Sequence, residues 1–156
     1  MSGLASLLIF LLASLAAGVI GVFFTNPALP TWYAGLRKPR WTPPNALFGP
    51  VWTVLYVMIA VAGWLAWRNR GHADARAPMA IFIAQLFLNA AWAVIFFGAR
   101  RIGLAFIDII LLWIAILGCV AEFSRVSVAS AVLMTPYLAW VGYAAALNYA
   151  IWRLNL

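Results

Sequence analysis

The sequence predicts an all-α membrane protein: a bundle of five transmembrane helices, with a long first loop as a lid. Three observations predict it. Of 156 residues, 67% are hydrophobic and only 8% are charged, whereas a water-facing domain carries about 25% charged residues. The few charges are also gathered into short clusters. No Asp, Glu, Lys or Arg occurs in residues 1–36, 41–67, 77–99 or 126–152, and each stretch exceeds the roughly 20 residues that an α-helix needs to cross a bilayer. A fifth stretch, 103–121, holds a single acid, Asp108. Finally, 9 Trp, 10 Phe and 5 Tyr together outnumber all the charged residues. A soluble enzyme domain, a disordered chain and a disulfide-stapled secreted fold are all excluded by this balance.

The elements follow in order, as one transmembrane domain over residues 1–156. Helix 1 is predicted over residues 3–24, ended by Asn26, Pro27 and Pro30. No Lys or Arg precedes it, and it is too long for a signal-peptide core, so it reads as a retained span. A long loop covers 25–47. Helix 2 spans 48–67 and stops at Arg68-Asn69-Arg70-Gly71. Helix 3 spans 78–98 and opens on Pro78, whose missing N–H costs nothing in a first turn. Arg100 and Arg101 make a tight turn into helix 4, 103–123. A short turn to Ser127 then leads into helix 5, 128–152. Pro136 lies inside helix 5 and should kink it, freeing the carbonyl near residue 132. No internal repeat marks an inverted-repeat transporter.

The net charge is +7. The basic residues sit in short loops beside the spans, as in integral membrane proteins, so nucleic acid is not an expected partner. Five spans place the termini on opposite sides. The first loop, third loop and C-terminus carry six Lys/Arg against four on the other side, which orients them to the cytoplasm. Cys119 lies alone within a span, and no His, Cys or carboxylate group has metal-ligand spacing. The protein is expected to be a multi-pass protein of a bacterial membrane.

The first loop is unusual. It reads Trp32-Tyr33-Ala34-Gly35-Leu36-Arg37-Lys38-Pro39-Arg40-Trp41-Thr42-Pro43-Pro44. Prolines reduce the entropy lost on ordering it, and its aromatics offer apolar surface. Two readings stand: a lid over a cavity between helices, or an interfacial belt of Trp and Tyr at the headgroups. The pattern Trp32-Tyr33-x-x-Leu36-x-Lys38-Pro39-x-Trp41-x-Pro43-Pro44 resembles the signature of the TspO/MBR family, the tryptophan-rich sensory and translocator proteins. Pro50-x-Trp52, Leu55-Tyr56, Leu88-Asn89-x-x-Trp92, Phe96-Phe97-Gly98-Ala99-Arg100, Asp108, Pro136-Tyr137-Leu138-Ala139-Trp140 and Leu147-Asn148-Tyr149-x-x-Trp152-Arg153 continue it in order. Helix 1 matches only as an apolar span.

The resemblance implies a five-helix bundle, usually a homodimer, with a ligand site inside each subunit beneath the first loop. The implied ligands are porphyrins (protoporphyrin IX and haem), sterols and benzodiazepine-type drugs, with no obligatory cofactor. It implies a receptor or carrier with a sensory role in tetrapyrrole or stress response. The implied pocket residues are Tyr33, Trp52, Tyr56, Asn89, Trp92, Trp140 and Ala144. An alternative drawn from the same family is light- and oxygen-dependent porphyrin breakdown, with Trp52 and Trp140 as the oxidisable residues.

Residue chemistry runs parallel to this. A tetrapyrrole is flat and apolar with an acidic edge, and Trp and Tyr faces stack on such rings. Trp140, Ala144 and Asn148 recur at four-residue steps on one face of helix 5. Asn89 is an amide within a span and needs a partner. Arg37, Lys38 and Arg40 are placed to meet propionates at the rim of a loop that also carries Trp32 and Trp41. The alternative for any one Trp is ordinary bundle packing.

Four further features have a functional and a structural reading. Asp108 is an intramembrane acid, with an interhelical hydrogen bond or an arginine pairing the favoured account. His72 reads as a solvated loop residue, so porphyrin binding should need no bond from protein to iron. Leu147, Tyr149 and Arg153 fit a pattern proposed for cholesterol contact, which is also what a helix ending at an interface looks like. Ala13, Ala17 and Gly21, flanked by Ser14 and Gly18, form a small-residue strip on helix 1, suited to a dimer seam or to close packing within the subunit.

Overall fold

The computed structural model describes residues 3–69 and 76–156. Five helices are long and apolar enough to cross a membrane: α1, Gly3–Ala28; α2, Asn45–Asn69; α3, Arg76–Ala93, which continues as a π-helical turn over Val94–Gly98; α4, Ile102–Ser124; and α5, Val128–Leu154. The chain is a multi-pass integral membrane protein. Arg70 and His72 lie outside the described residues.

Most ends fall within two residues of expectation, and three differences have physical causes. Asn26 and Pro27 do not stop α1, which runs on to Ala28. Near the end of a helix, the carbonyl a proline leaves unpaired is tolerated. The Thr31 hydroxyl donates to the Pro27 carbonyl at 2.8 Å and closes the end. Pro30, which follows, is the effective stop. At the other end of the loop, α2 starts at Asn45, directly after Pro43-Pro44, so the loop is shorter than residues 25–47. Pro78 is the third described residue of α3 rather than its opening one, still within the first turn that tolerates it.

Pro136 leaves α5 continuous. The Val132 carbonyl that it deprives of a partner accepts from the Thr135 hydroxyl at 2.7 Å. The turn between α3 and α4 is tight: Ala99 N–H reaches the Val94 carbonyl at 2.7 Å, and Arg100 adopts a left-handed φ of 57°. α5 starts from Ser127, whose hydroxyl accepts from Ser130 N–H at 3.3 Å.

Helix contacts close a ring in the order α1, α2, α5, α4, α3, back to α1. Outward faces carry exposed Leu8, Ile9, Phe23, Ile83, Phe87, Ile107, Leu111 and Ile114. In water that surface would be untenable; in lipid it is the solvated face. Inside, Tyr137, Phe123, Ile59, Leu112, Ile116 and Met134 are fully enclosed. A second cluster of Ala28, Tyr33, Phe96, Phe97, Leu147 and Ile151 sits at the end where the first loop lies.

Candidate functional site

A cavity of about 310 Å³ opens between α1, α2 and the end of α3. Its inner wall is Trp52, Tyr56, Asn89 and Trp92, and its outer wall includes Leu15, Val19 and Val22 of α1 and Gly49 and Thr53 of α2. Four of the seven residues named from sequence thus come together. The Trp52 and Tyr56 rings, one helical turn apart on α2, lie 5.5 Å apart and stacked. Such a face suits a flat apolar guest.

Asn89 has the partners that an intramembrane amide needs. Its Oδ1 accepts from the Tyr56 hydroxyl at 2.5 Å, and its Nδ2 donates to the Tyr137 hydroxyl at 2.9 Å. Tyr137 in turn donates to Gln85 Oε1 at 3.0 Å. This chain of bonds ties α2, α3 and α5 across the middle of the ring. It ends on a buried donor, Gln85 Nε2, with no partner among the described residues. Gln85 and Tyr137 were not singled out from sequence. The rule that drew attention to Asn89, a polar side chain within a span, applies equally to Gln85.

Gly18, read from sequence only as a flank of the small strip on helix 1, also shapes the cavity. A Cβ there would stand 2.8 Å from two Tyr56 ring carbons, so only glycine lets the ring lie flat against α1. Of the small strip on α1, Ala17 is buried within the subunit, Gly21 lines the cavity and Ala13 is exposed. Of the three, only Ala17 is packed inside the chain.

Tyr33, Trp140 and Ala144 do not line this cavity. Tyr33 is 2% exposed and wedged against Phe96 and Phe97, at 6.3 and 5.8 Å between ring centres. Burial, and then the neighbouring Tyr143, push its hydroxyl up to about 12. Trp140 packs between Phe48 and Tyr143, and Ala144 is half-buried on the same helix. Trp52 and Trp140, the pair named for oxidative chemistry, thus occupy different surroundings. Asn148, one turn beyond Ala144, accepts from Trp92 Nε1 at 3.0 Å and donates to the Ile102 carbonyl at 2.9 Å. It holds the Trp92 ring at the cavity wall.

The first loop is fastened at three points. Trp32 packs edge-on to Phe96, under the Arg100 guanidinium. Trp41 rests on Tyr143, whose hydroxyl donates to the Trp41 carbonyl at 2.7 Å. Asn155, at the end of α5, exchanges two bonds with the Arg37 backbone, at 3.0 and 2.9 Å. That clasp puts the first loop and the C-terminus on one side, as the odd number of spans requires. Lys38 does not point to a rim. Its ammonium donates to the carbonyls of Tyr33, Ala34 and Leu36 and sits 4.7 Å from the Tyr33 ring centre, which consumes its charge in holding the loop. Arg37 and Arg40 are exposed.

Asp108 is buried, and its Oδ2 has no hydrogen-bond partner among the described residues. The interhelical bond or arginine pairing expected for it is not found at that oxygen. Leu147, Tyr149 and Arg153 do not share a face. Leu147 packs inward in the Tyr33 cluster, while Tyr149 and Arg153 are exposed, with Tyr149 lying on Phe106.

The TspO/MBR family profile matches residues 10–153. The chain is 46% identical to the tryptophan-rich protein TspO of Archaeoglobus fulgidus, over 93% of this chain and 94% of that one. It is 39% identical to the translocator protein of Homo sapiens, over 94% and 88%. With the tryptophan-rich sensory protein of Cereibacter sphaeroides it shares 33% identity, over 80% and 77%. Profile, relatives and five-helix architecture agree: the chain belongs to the TspO/MBR family of integral membrane proteins.

Proposed function

We propose that this chain is a membrane receptor for flat hydrophobic molecules, with porphyrins such as protoporphyrin IX and haem as the ligand class, and that occupancy of the α1–α2–α3 cavity is the signal it senses. The observation that carries this reading is the aromatic wall of Trp52, Tyr56 and Trp92 beside the buried amide of Asn89, inside a membrane-embedded cavity. Ligand sites are commonly apolar, with a few fixed polar groups, and run from roughly 300 to 1,000 Å³. At about 310 Å³ the cavity is at the small end. A drug-sized molecule fits within it, and a tetrapyrrole extends into the cleft between α1 and α2, where Val19 and Thr53 are exposed. Relatives named as sensory and translocator proteins accord with a receptor role.

The test is a titration of purified protein in nanodiscs with protoporphyrin IX, read by quenching of Trp fluorescence. Saturable binding at one ligand per chain, weakened about tenfold or more by Trp52→Ala, is the expected result. A tenfold change equals about 1.4 kcal/mol, well within the contribution of a lost aromatic contact plus its buried area. Non-saturating partition, equal for wild type and Trp52→Ala, refutes the reading.

A further inference from the structure

We propose that ligands enter and leave this cavity sideways, from the bilayer hydrocarbon, through the seam between α1 and α2. The inference rests on the cavity being the ligand site. It adds that the chain samples molecules already dissolved in the membrane, not those in water.

Two sets of observations support it. The first concerns the seam. Val19 is 68% and Leu15 41% exposed, yet both line the cavity, as do the exposed Gly49 and Thr53 across from them. One continuous surface therefore runs from Asn89 in the interior to the outside of the bundle. Its depth is set by helix geometry. Val19 is nine residues from the end of α1 at Ala28, about 14 Å at 1.5 Å per residue. Leu15 is deeper by another turn. A helix of 26 residues overhangs a ~30 Å hydrocarbon core by only about 5 Å at each end, so this opening faces acyl chains. The seam can also be left open cheaply, because a Cβ at Gly49 would meet nothing within 4 Å.

The second set concerns the first loop, which is fastened to the ends of α3 and α5. Trp32 and Tyr33 are packed onto Phe96 and Phe97, the Arg37 backbone is clasped by Asn155, and Trp41 is bound to Tyr143. None of these loop residues lines the cavity, whose lining at that end is Thr25, Asn26 and Phe48, so loosening the loop does not open it; entry from lipid requires only the displacement of side chains at a lipid-facing seam.

The experiment closes the seam. Val19→Cys with Thr53→Cys, joined by a bifunctional thiol reagent, bridges α1 to α2 while the buried native Cys119 stays unreactive. Protoporphyrin IX is added to nanodisc-embedded protein by stopped flow. The unbridged double variant should bind, bridging before addition should slow association on the order of tenfold or more, and bridging after loading should trap the porphyrin. Val19→Trp, without any bridge, should slow both association and dissociation. Asn155→Ala, which frees the loop, should leave association unchanged. Equal rates with and without the bridge, or faster association in Asn155→Ala, overturn the lateral route while leaving the binding site intact. Absence of any binding in the unbridged protein overturns the receptor reading and this route with it.

Discussion

Gly18 is the position at which a single methyl group should be felt in the cavity. Its Cβ would stand 2.8 Å from Cδ2 and Cε2 of Tyr56 and 3.4 Å from Cζ, whereas carbon atoms pack at about 3.5–4.0 Å. The Tyr56 ring must move by roughly 1 Å to make room. It has little freedom to do so, because its hydroxyl is bonded to Asn89 and its face is stacked on Trp52. Overpacking of this kind costs about 1–3 kcal/mol. Alanine recovers about 0.8–1 kcal/mol of helix propensity relative to glycine, so Gly18→Ala should destabilise the fold by only about 0–2 kcal/mol. The ligand receives no such offset. A ring pushed into the cavity should weaken porphyrin binding by about 5- to 150-fold, the equivalent of those 1–3 kcal/mol. The assay pairs thermal unfolding in detergent with the fluorescence titration, and adds the background Tyr56→Ala. With the ring removed, Gly18→Ala should become neutral or stabilising. If Gly18→Ala loses as much stability with Tyr56 absent as with it present, the contact is not the cause and the reasoning fails.

Further predictions concern other parts of the molecule. Asn89→Leu removes the acceptor for Tyr56 and the donor to Tyr137, and should cost about 1–3 kcal/mol in stability, the range for leaving buried polar groups unpaired; a change within error in unfolding experiments contradicts the network. Asn155→Ala should speed tryptic cleavage after Arg37 and Arg40, with the Arg68 region as internal control; unchanged cleavage argues that the clasp does not hold the loop. Tyr33 ionises at about 12 when folded against 10.0 unfolded, so the native state retains its proton longer. Stability from this group is full below pH 10 and falls as pH rises from 10 to 12. Tyr33→Phe should flatten that limb of the unfolding profile, and identical profiles refute burial of the hydroxyl. Trp52→Phe should affect ligand binding more than Trp140→Phe, because only Trp52 lines the cavity.

Much of the architecture was legible because lipid demands so little of a sequence: long runs without charge, with cations between them. Residues 41–67 and 126–152 could be nothing but spans. Even the effect of Pro136 on the carbonyl at 132 followed from backbone chemistry. Helix ends were less legible where a side chain outside the helix decided them, as Thr31 does for α1. The order of helices around the ring was invisible, since hydrocarbon-facing and core-facing residues are equally apolar and amphipathic periodicity carries little signal.

The site divides along the same line. Trp52, Tyr56, Asn89 and Trp92 meet because two helices present residues at helical spacing to one space. Trp140 and Ala144 also share a face with each other, but that face turns toward Phe48 and Tyr143, a matter of helix rotation that spacing alone does not determine. The role of Lys38 was misread for a different reason. In sequence it is one of three loop cations, and only the fold brings three carbonyls within its reach. Asn155 gave no signal at all, because its partner is the backbone of Arg37, and backbone groups are the same in every residue.

The central claim is that a flat hydrophobic ligand occupies the space bounded by Trp52, Tyr56, Asn89 and Trp92. An experimental structure of the protein saturated with protoporphyrin IX in a lipid environment tests it most directly. The account predicts a porphyrin ring against the Trp52 and Tyr56 faces, its remainder projecting between α1 and α2. A porphyrin seated instead beside Trp140 and Ala144 beneath the first loop, or on the outer face of α4, would contradict it.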